Sequence, residues 1–194
     1  MVNNTLLLDD FPFRTASPFV NGPVGSFDVT IQPKTSIDTT NALFRQTLSL
    51  AANDTVIVVA NGIVSATVYS PATPFGLDVF AAAREASGVA TITDVLVYHG
   101  STDAPTVDVL ESSIPAGTVV DSIAYSEFDG YLSLNTQAYT LDVIVNGTTT
   151  SAGIFSAPLS SLGLGNVFYF NSAKVKYLTT RKYCRNYFVL FSGS

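Results

Sequence analysis

Between Val95 and Val109 the chain reads VLVYHGSTDAPTVDV, two runs of alternating apolar and polar side chains separated by a polar turn. A period of two puts one face of each run on a core and the other toward water, so both runs read as strands. Gly100, Ser101, Asp103 and Pro105 cluster between them and each suits a turn, through free φ, side-chain bonding to backbone, or fixed φ. The same rhythm recurs along the whole chain. It predicts strands near 5–8, 26–32, 43–50, 55–60, 63–69, 75–82, 94–99, 106–110, 119–124, 130–134, 139–145, 152–156 and 166–171. Asn61-Gly62 and Asn146-Gly147 follow apolar runs and predict type I′ hairpin turns. Residues 81–86, AAAREA, have helix-forming composition but are too short to persist alone.

The pattern repeats. An offset of 112 carries Phe11 to Ile123, Phe13 to Tyr125, Phe19 to Tyr131, Phe27 to Tyr139, Val29 to Leu141 and Ile31 to Val143. An offset of 111 then carries Phe44 to Phe155, Leu48 to Leu159 and 55–59 to 166–170. A unit of about 110 residues is too long for a solenoid period and fits a sandwich domain. The counterpart of 99–109 would fall before Met1, so the first copy is expected to lack a strand and to expose a sheet edge that can pair with another chain. The predicted layout is a truncated first repeat at 1–88, a second repeat at 89–173 and a divergent basic tail at 174–194. Within that tail Tyr187–Phe191 is strand-like, and it is expected to pair where 75–80 does in the first copy.

HGSTDAPTVDV at 99–109, SIAYSEFDGYLSL at 122–134 and YTLDVIVNG at 139–147 together resemble the bacterial domain of unknown function family numbered 4397. Its members show a His, a small residue and Asp-Ala-Pro-x-Val-Asp-Val, then a Tyr-Gly-x-x-(Ser/Gly)-Gly-Tyr segment and a Tyr-Thr-x-x-Val strand. The resemblance covers Asp94 to about Phe170, and Leu6 to about Ala86 as a partial copy. It implies a secreted or surface-attached β-sandwich with no established catalytic residues. The tail from Lys174 departs from the family pattern.

Composition narrows the picture. Hydrophobic residues make up 47% of the chain and charged ones 12%, which excludes a disordered polymer and suits strands and turns with an uncharged polar surface. Residues 1–173 hold all 15 acids against Arg14, Lys34, Arg45 and Arg84, so the body repels phosphate backbones and no nucleic-acid partner is expected. Cys184 is the single cysteine, so no intramolecular disulfide forms and the redox compartment stays open. No apolar run approaches the ~20 residues of a membrane span. Leu6-Leu7-Leu8, followed by Asp9-Asp10, is too short for a signal peptide.

Five residues stand out as candidate binding groups: His99, Asp103, Asp108, Tyr125 and Tyr131. His99 with the two aspartates suggests a metal site, which needs three converging ligands. The competing reading has them bonding to backbone and locking the turn. Ser101, His99 and Asp103 also spell a hydrolase triad, but they lie too close in sequence for triad geometry and lack a Gly-x-Ser-x-Gly elbow. Glu127 and Asp129 supply a glycosidase-like carboxylate pair whose first-copy counterparts are Thr15 and Ser17. Tyr98, Tyr125, Phe128, Tyr131 and Tyr139 form either a sugar-stacking platform or core packing, and core packing is favoured by their recurrence as Phe13, Phe19 and Phe27. Leu162-Gly163-Leu164-Gly165 lacks the Lys-Ser/Thr of a phosphate loop.

The expected protein is all-β, with two tandem immunoglobulin- or transthyretin-like β-sandwich domains, the first lacking an N-terminal strand. Its expected role is a non-catalytic extracellular or cell-surface module for adhesion, spacing or display, without cofactor or bound metal. Its expected partners are other surface proteins or polysaccharide, with an edge-strand dimer through the first domain. A carbohydrate- or metal-binding module is the alternative, and a hydrolase comes third.

Overall fold

The computed structural model describes residues 1–11, 15–64, 73–112, 117–161, 167–171 and 187–193. The described chain is all-β, with no α-helix among these residues. It divides into two compact units, one of residues 1–83 with 183–194 and one of 84–182.

The second unit is built from two sheets. One runs β11(Ser151–Pro158), β10(Ala138–Val145), β7(Val107–Glu111), β8(Gly117–Ile123), all antiparallel neighbours. The other runs β12(Val167–Asn171), β6(Ile92–Tyr98), β9(Phe128–Asn135), with β6 parallel to β12 and antiparallel to β9. Alternation sends Val107 and Val109, and Tyr139, Leu141 and Val143, into one apolar cluster with Val95 and Val97 of β6, and Val120 and Ile123, three apart, both join it because the β7–β8 register shifts between them. Both sheets therefore share a core, at about 1.5–3 kcal/mol of stabilisation for each such side chain. The other face of β6 is buried too, with Leu96 and Tyr98 sealed from solvent, as befits a central strand.

The first unit pairs β2(Gly25–Ile31) with β3(Phe44–Leu50) and sets out a second sheet in the order β1(Ala16–Gly22), β13(Tyr187–Gly193), β4(Thr55–Asn61), β5(Gly76–Ala81). Phe27, Val29, Leu48 and Leu50 from the first pair meet Val56, Val58, Ala60 and Leu77 from the second, with Val2 beside them. Pro18 lies on β1, an edge strand, where the pairing register shifts between Ala16 and Phe19. An edge and a bulge are where a residue without an N–H is tolerated.

Several expectations need correction. Strand β1 was not predicted, although Phe19 and Val20 match Tyr131 and Leu132 of β9. Residues 5–8 do not form a strand; only Val2 and Thr5 make isolated bridges there. Their counterparts in β8 are held by β7, and among the described residues no strand pairs with 5–8. The tail strand does not add beside β12. β13 lies between β1 and β4, parallel to the first and antiparallel to the second. By the sequence correspondence β1 matches β9 and β4 matches β12, so β13 fills the place that β6 holds in the second unit, with the chain reversed. The edge expected where the counterpart of 99–109 is missing is a different place from this one, and the edges of this sheet are β1 and β5.

The Asn-Gly turns also differ from expectation. At 61–62 the chain makes no two-residue hairpin: β4 pairs with β5 and β13, and most of the expected strand at 63–69 lies outside the described residues. Gly62 is required for another reason, because at φ +80 a Cβ would stand 2.1 Å from the Pro74 carbonyl oxygen. At 146–147 a hairpin does join β10 to β11, but through a longer loop closed by Val145 N–H to the Thr150 carbonyl at 2.9 Å. Positive φ occurs there at Gly147 and not at Asn146. The register also shifts one match: Leu48 lies opposite Phe27, whereas Ala157, not Leu159, lies opposite Tyr139. A shift of two keeps the same face inward, which is why the apolar pattern hid it.

Candidate functional site

All five candidate residues belong to the second unit. His99 follows β6 and is 1% exposed. Its main chain is pinned by His99 N–H to the Glu127 carbonyl at 3.0 Å and by Ser126 N–H to the His99 carbonyl at 2.8 Å. Its ring is engaged at both nitrogens: Nδ1 accepts from the Ser101 N–H at 3.3 Å, and Nε2 lies 3.0 Å from the Pro105 carbonyl oxygen. An acceptor at Nδ1 and a carbonyl at Nε2 select the neutral tautomer protonated on Nε2. Tyr125, half-buried, stands edge-on to this ring with centroids 6.5 Å apart.

The triad reading fails on these bonds. Ser101 Oγ donates to Asp103 Oδ1 at 3.1 Å, so the hydroxyl faces the carboxylate and the imidazole faces backbone. With its Nε2 proton directed at Pro105, His99 presents no lone pair to the Ser101 hydroxyl. Glu127 of the carboxylate pair closes its own turn, accepting the Ala124 N–H on Oε2 at 2.8 Å.

Asp108 points elsewhere. It sits on β7 opposite Ile144, and its Oδ1 accepts from Asn146 Nδ2 and from the Ser122 N–H, each at 2.8 Å. The Asn146 amide, then the Ser122 and Gly147 N–H groups, hold its carboxyl below the usual aspartate range. Asp108 thus ties β7 to the end of β8 and to the β10–β11 loop. Ser122 adopts φ +59 at this tie, an uncommon conformation for a residue that is not glycine. The structure brings His99, Ser101 and Asp103 together in one turn and leaves Asp108 in a separate network. Among the described residues no three His, Cys, Asp or Glu side chains converge as a metal site would require.

The aromatic residues do not line up in solvent. Tyr98 and Tyr139 are buried, Tyr139 donating to the Asn135 carbonyl at 2.9 Å, and Phe128 packs on Tyr98 with centroids 4.6 Å apart. Tyr131 is half-buried and belongs to a cluster that sequence reasoning missed. Its hydroxyl accepts the Arg84 N–H at 2.8 Å, and the Arg84 guanidinium lies 4.6 Å from its ring centroid. Arg84 also pairs with Asp94 at 2.8 Å, and Ser133 Oγ donates to the other oxygen of that carboxylate at 2.7 Å. The Asp94 side chain is 3% exposed. The signal was present: Asp94, Leu96 and Tyr98 share one strand face, and a lone acid on an apolar face must find a cation or donors.

The described residues therefore place the conspicuous polar side chains in bonds that hold turns and strand ends. No helix among them is long and apolar enough to cross a membrane. No known family model, curated protein or solved structure matches this chain.

Proposed function

We propose that the chain is a non-catalytic extracellular or cell-surface module of two immunoglobulin- or transthyretin-like sandwiches, serving adhesion, spacing or display. The observation that carries this is His99: a buried imidazole with both nitrogens bonded to backbone is positioned to hold a turn, not to move protons. Two further features support it. The sparse charge suits a module that works through its surface, and the resemblance at 99–109 implies a secreted or surface-attached sandwich. The partners on this reading are other surface proteins or polysaccharide.

Labelling intact source cells with a membrane-impermeant amine reagent tests the location, because Lys34 exposes 68% of its side chain. Labelled chain supports the proposal; chain labelled only after lysis overturns it. Turnover of an ester, amide or glycoside substrate that His99→Gln abolishes, while the fold survives, overturns the non-catalytic assignment.

A further inference from the structure

Asn-Gly occurs three times in the chain, at 21–22, 61–62 and 146–147. This dipeptide readily loses the asparagine amide, because glycine has no side chain to keep its N–H away from the preceding side-chain carbonyl. The structure sets the three pairs apart. Asn21 and Gly22 end β1, held in the ladder opposite Ser192 and Gly193 of β13. Asn61 is 4% exposed, its amide donates to Asp78, and Gly62 backs onto Pro74. Of the three pairs, Asn146-Gly147 is the one with both residues exposed, in the loop between β10 and β11.

At this pair both reacting groups are held by one carboxylate. Asn146 Nδ2, the group that would leave, donates to Asp108 Oδ1 at 2.8 Å. The Gly147 N–H, whose nitrogen would attack, also donates to Asp108. Backbone bonds brace the loop around them: Asn146 N–H to the Thr106 carbonyl at 3.0 Å, Thr148 N–H to the Val145 carbonyl at 3.0 Å and Val145 N–H to the Thr150 carbonyl at 2.9 Å. Attack on Asn146 Cγ requires the side chain to turn back toward its own main chain, so both bonds to Asp108 must break first. A reaction that needs local opening proceeds in proportion to the opened population. Two bonds to an ionised acceptor keep that population small.

We propose that Asn146 is a self-modification site guarded by Asp108, converting to aspartate or isoaspartate when the tie opens and thereby untying the loop for good. The reaction balances within the chain and water. The Gly147 nitrogen gives its proton to solvent and bonds Asn146 Cγ; the Cγ–Nδ2 bond breaks, and Nδ2 takes up a proton and leaves as ammonia. Water then opens the cyclic imide at either carbonyl, giving aspartate or isoaspartate. Either product sets a second carboxylate against Asp108 where a donor had been, and like charges so close repel. Isoaspartate also adds a methylene to the main chain of a turn whose closing bonds span 145–150. Asp108 keeps the Ser122 N–H of β8 and loses the β10–β11 loop. The chain has no means of restoring the amide, so the change runs one way and records the age of the module.

The test is peptide mapping by mass spectrometry of the full chain held folded in mildly alkaline buffer, beside the same chain in guanidinium chloride. Conversion at Asn146 is expected to be at least about tenfold slower in the folded chain, and Asp108→Ala to recover most of that factor. Leu141→Ala weakens the same unit without touching the tie, so Asn146 should stay slow in it. Equal rates folded and unfolded, an unchanged rate in Asp108→Ala, or equal acceleration by Leu141→Ala each overturn the guard. Where Asp108→Ala does not fold, Asp108→Asn, which keeps an acceptor and loses the charge, is expected to convert faster than the parent chain; parity with the parent overturns the guard. Converted chain, separated by its added negative charge, should show shifted amide signals at Ser122 and 145–150. An unaltered Ser122 signal overturns the untying.

Discussion

By the sequence correspondence Asp10 and Lys34 of the first unit match Ser122 and Asn146 of the second, the two partners of Asp108, and the two pairs do different work. Asp108 lies on a strand and draws in three donors from neighbouring elements, whereas Asp10 and Lys34 join their two segments by an ion pair with both side chains 68% exposed. A similar apolar pattern therefore gives a tied, continuous sheet in one unit and an open cavity in the other. Strand formation follows from the neighbour as much as from the segment: 117–123 is a strand beside β7, and 5–11, with a comparable apolar content, is not. By the sequence correspondence β13 holds in the first unit the place that β6 holds in the second.

The largest expected effect comes from deleting 187–193. Among the described residues β13 lies between β1 and β4 and joins them, so its loss splits that sheet. Scanning calorimetry should lose the transition of the first unit, on the order of 5–15 kcal/mol for a small domain, and retain that of the second. Survival of both transitions would show that β13 is an ornament of the sheet.

Next in size are core truncations that set packed against open surroundings. Leu141→Ala, deep in the second core, should destabilise its unit by about 2–5 kcal/mol in urea unfolding. Leu77→Ala should fall at the low end of that range, because Leu77 borders the cavity. Equal losses would mean that the cavity is filled in solution.

A smaller effect, on the order of 1–3 kcal/mol, is expected for Arg84→Gln, which leaves the buried Asp94 carboxylate with Ser133. The double variant with Asp94→Asn should recover part of that loss; additive losses would show that the two residues do not interact.

The smallest effect is a pH dependence. The Asp108 carboxyl titrates lower folded than unfolded, so its contribution is present above the unfolded value of about 3.9 and disappears as pH falls through the lowered one. Asp108→Asn should therefore lower the melting temperature of the second unit at pH 6 and narrow the difference from the parent chain toward pH 2. A difference that widens in acid would contradict the assignment.

Much of the fold was legible where the signal was local. β2, β3, β4, β6 and β10 announce themselves by alternation or by continuous apolar runs such as 56–59, and the expected segments agree with the observed ones within two residues at either end. β1 did not, because ASPFVNG holds a proline and few apolar residues, and it becomes a strand by pairing with a segment from the far end of the chain. No periodicity reports such long-range pairing. Candidate chemistry divided similarly. The turn composition around His99 pointed correctly to a close-bonded loop, whereas grouping His99 with Asp108 assumed that nearness in sequence meant a shared site. The turn at 100–106 separates them, and β7 carries Asp108 to the end of β8 and the β10–β11 loop. The Arg84–Asp94 pair lies outside any turn or motif, and its one sign in the sequence is an acid on an apolar strand face.

Hydrogen exchange on the full chain, resolved by residue, tests most directly the claim that one sheet-forming unit appears here with and without a strand. Slow exchange at 118–123 and 141–145 beside fast exchange at 6–11 and Gln32 is the predicted result; equal protection of the matched segments would contradict it.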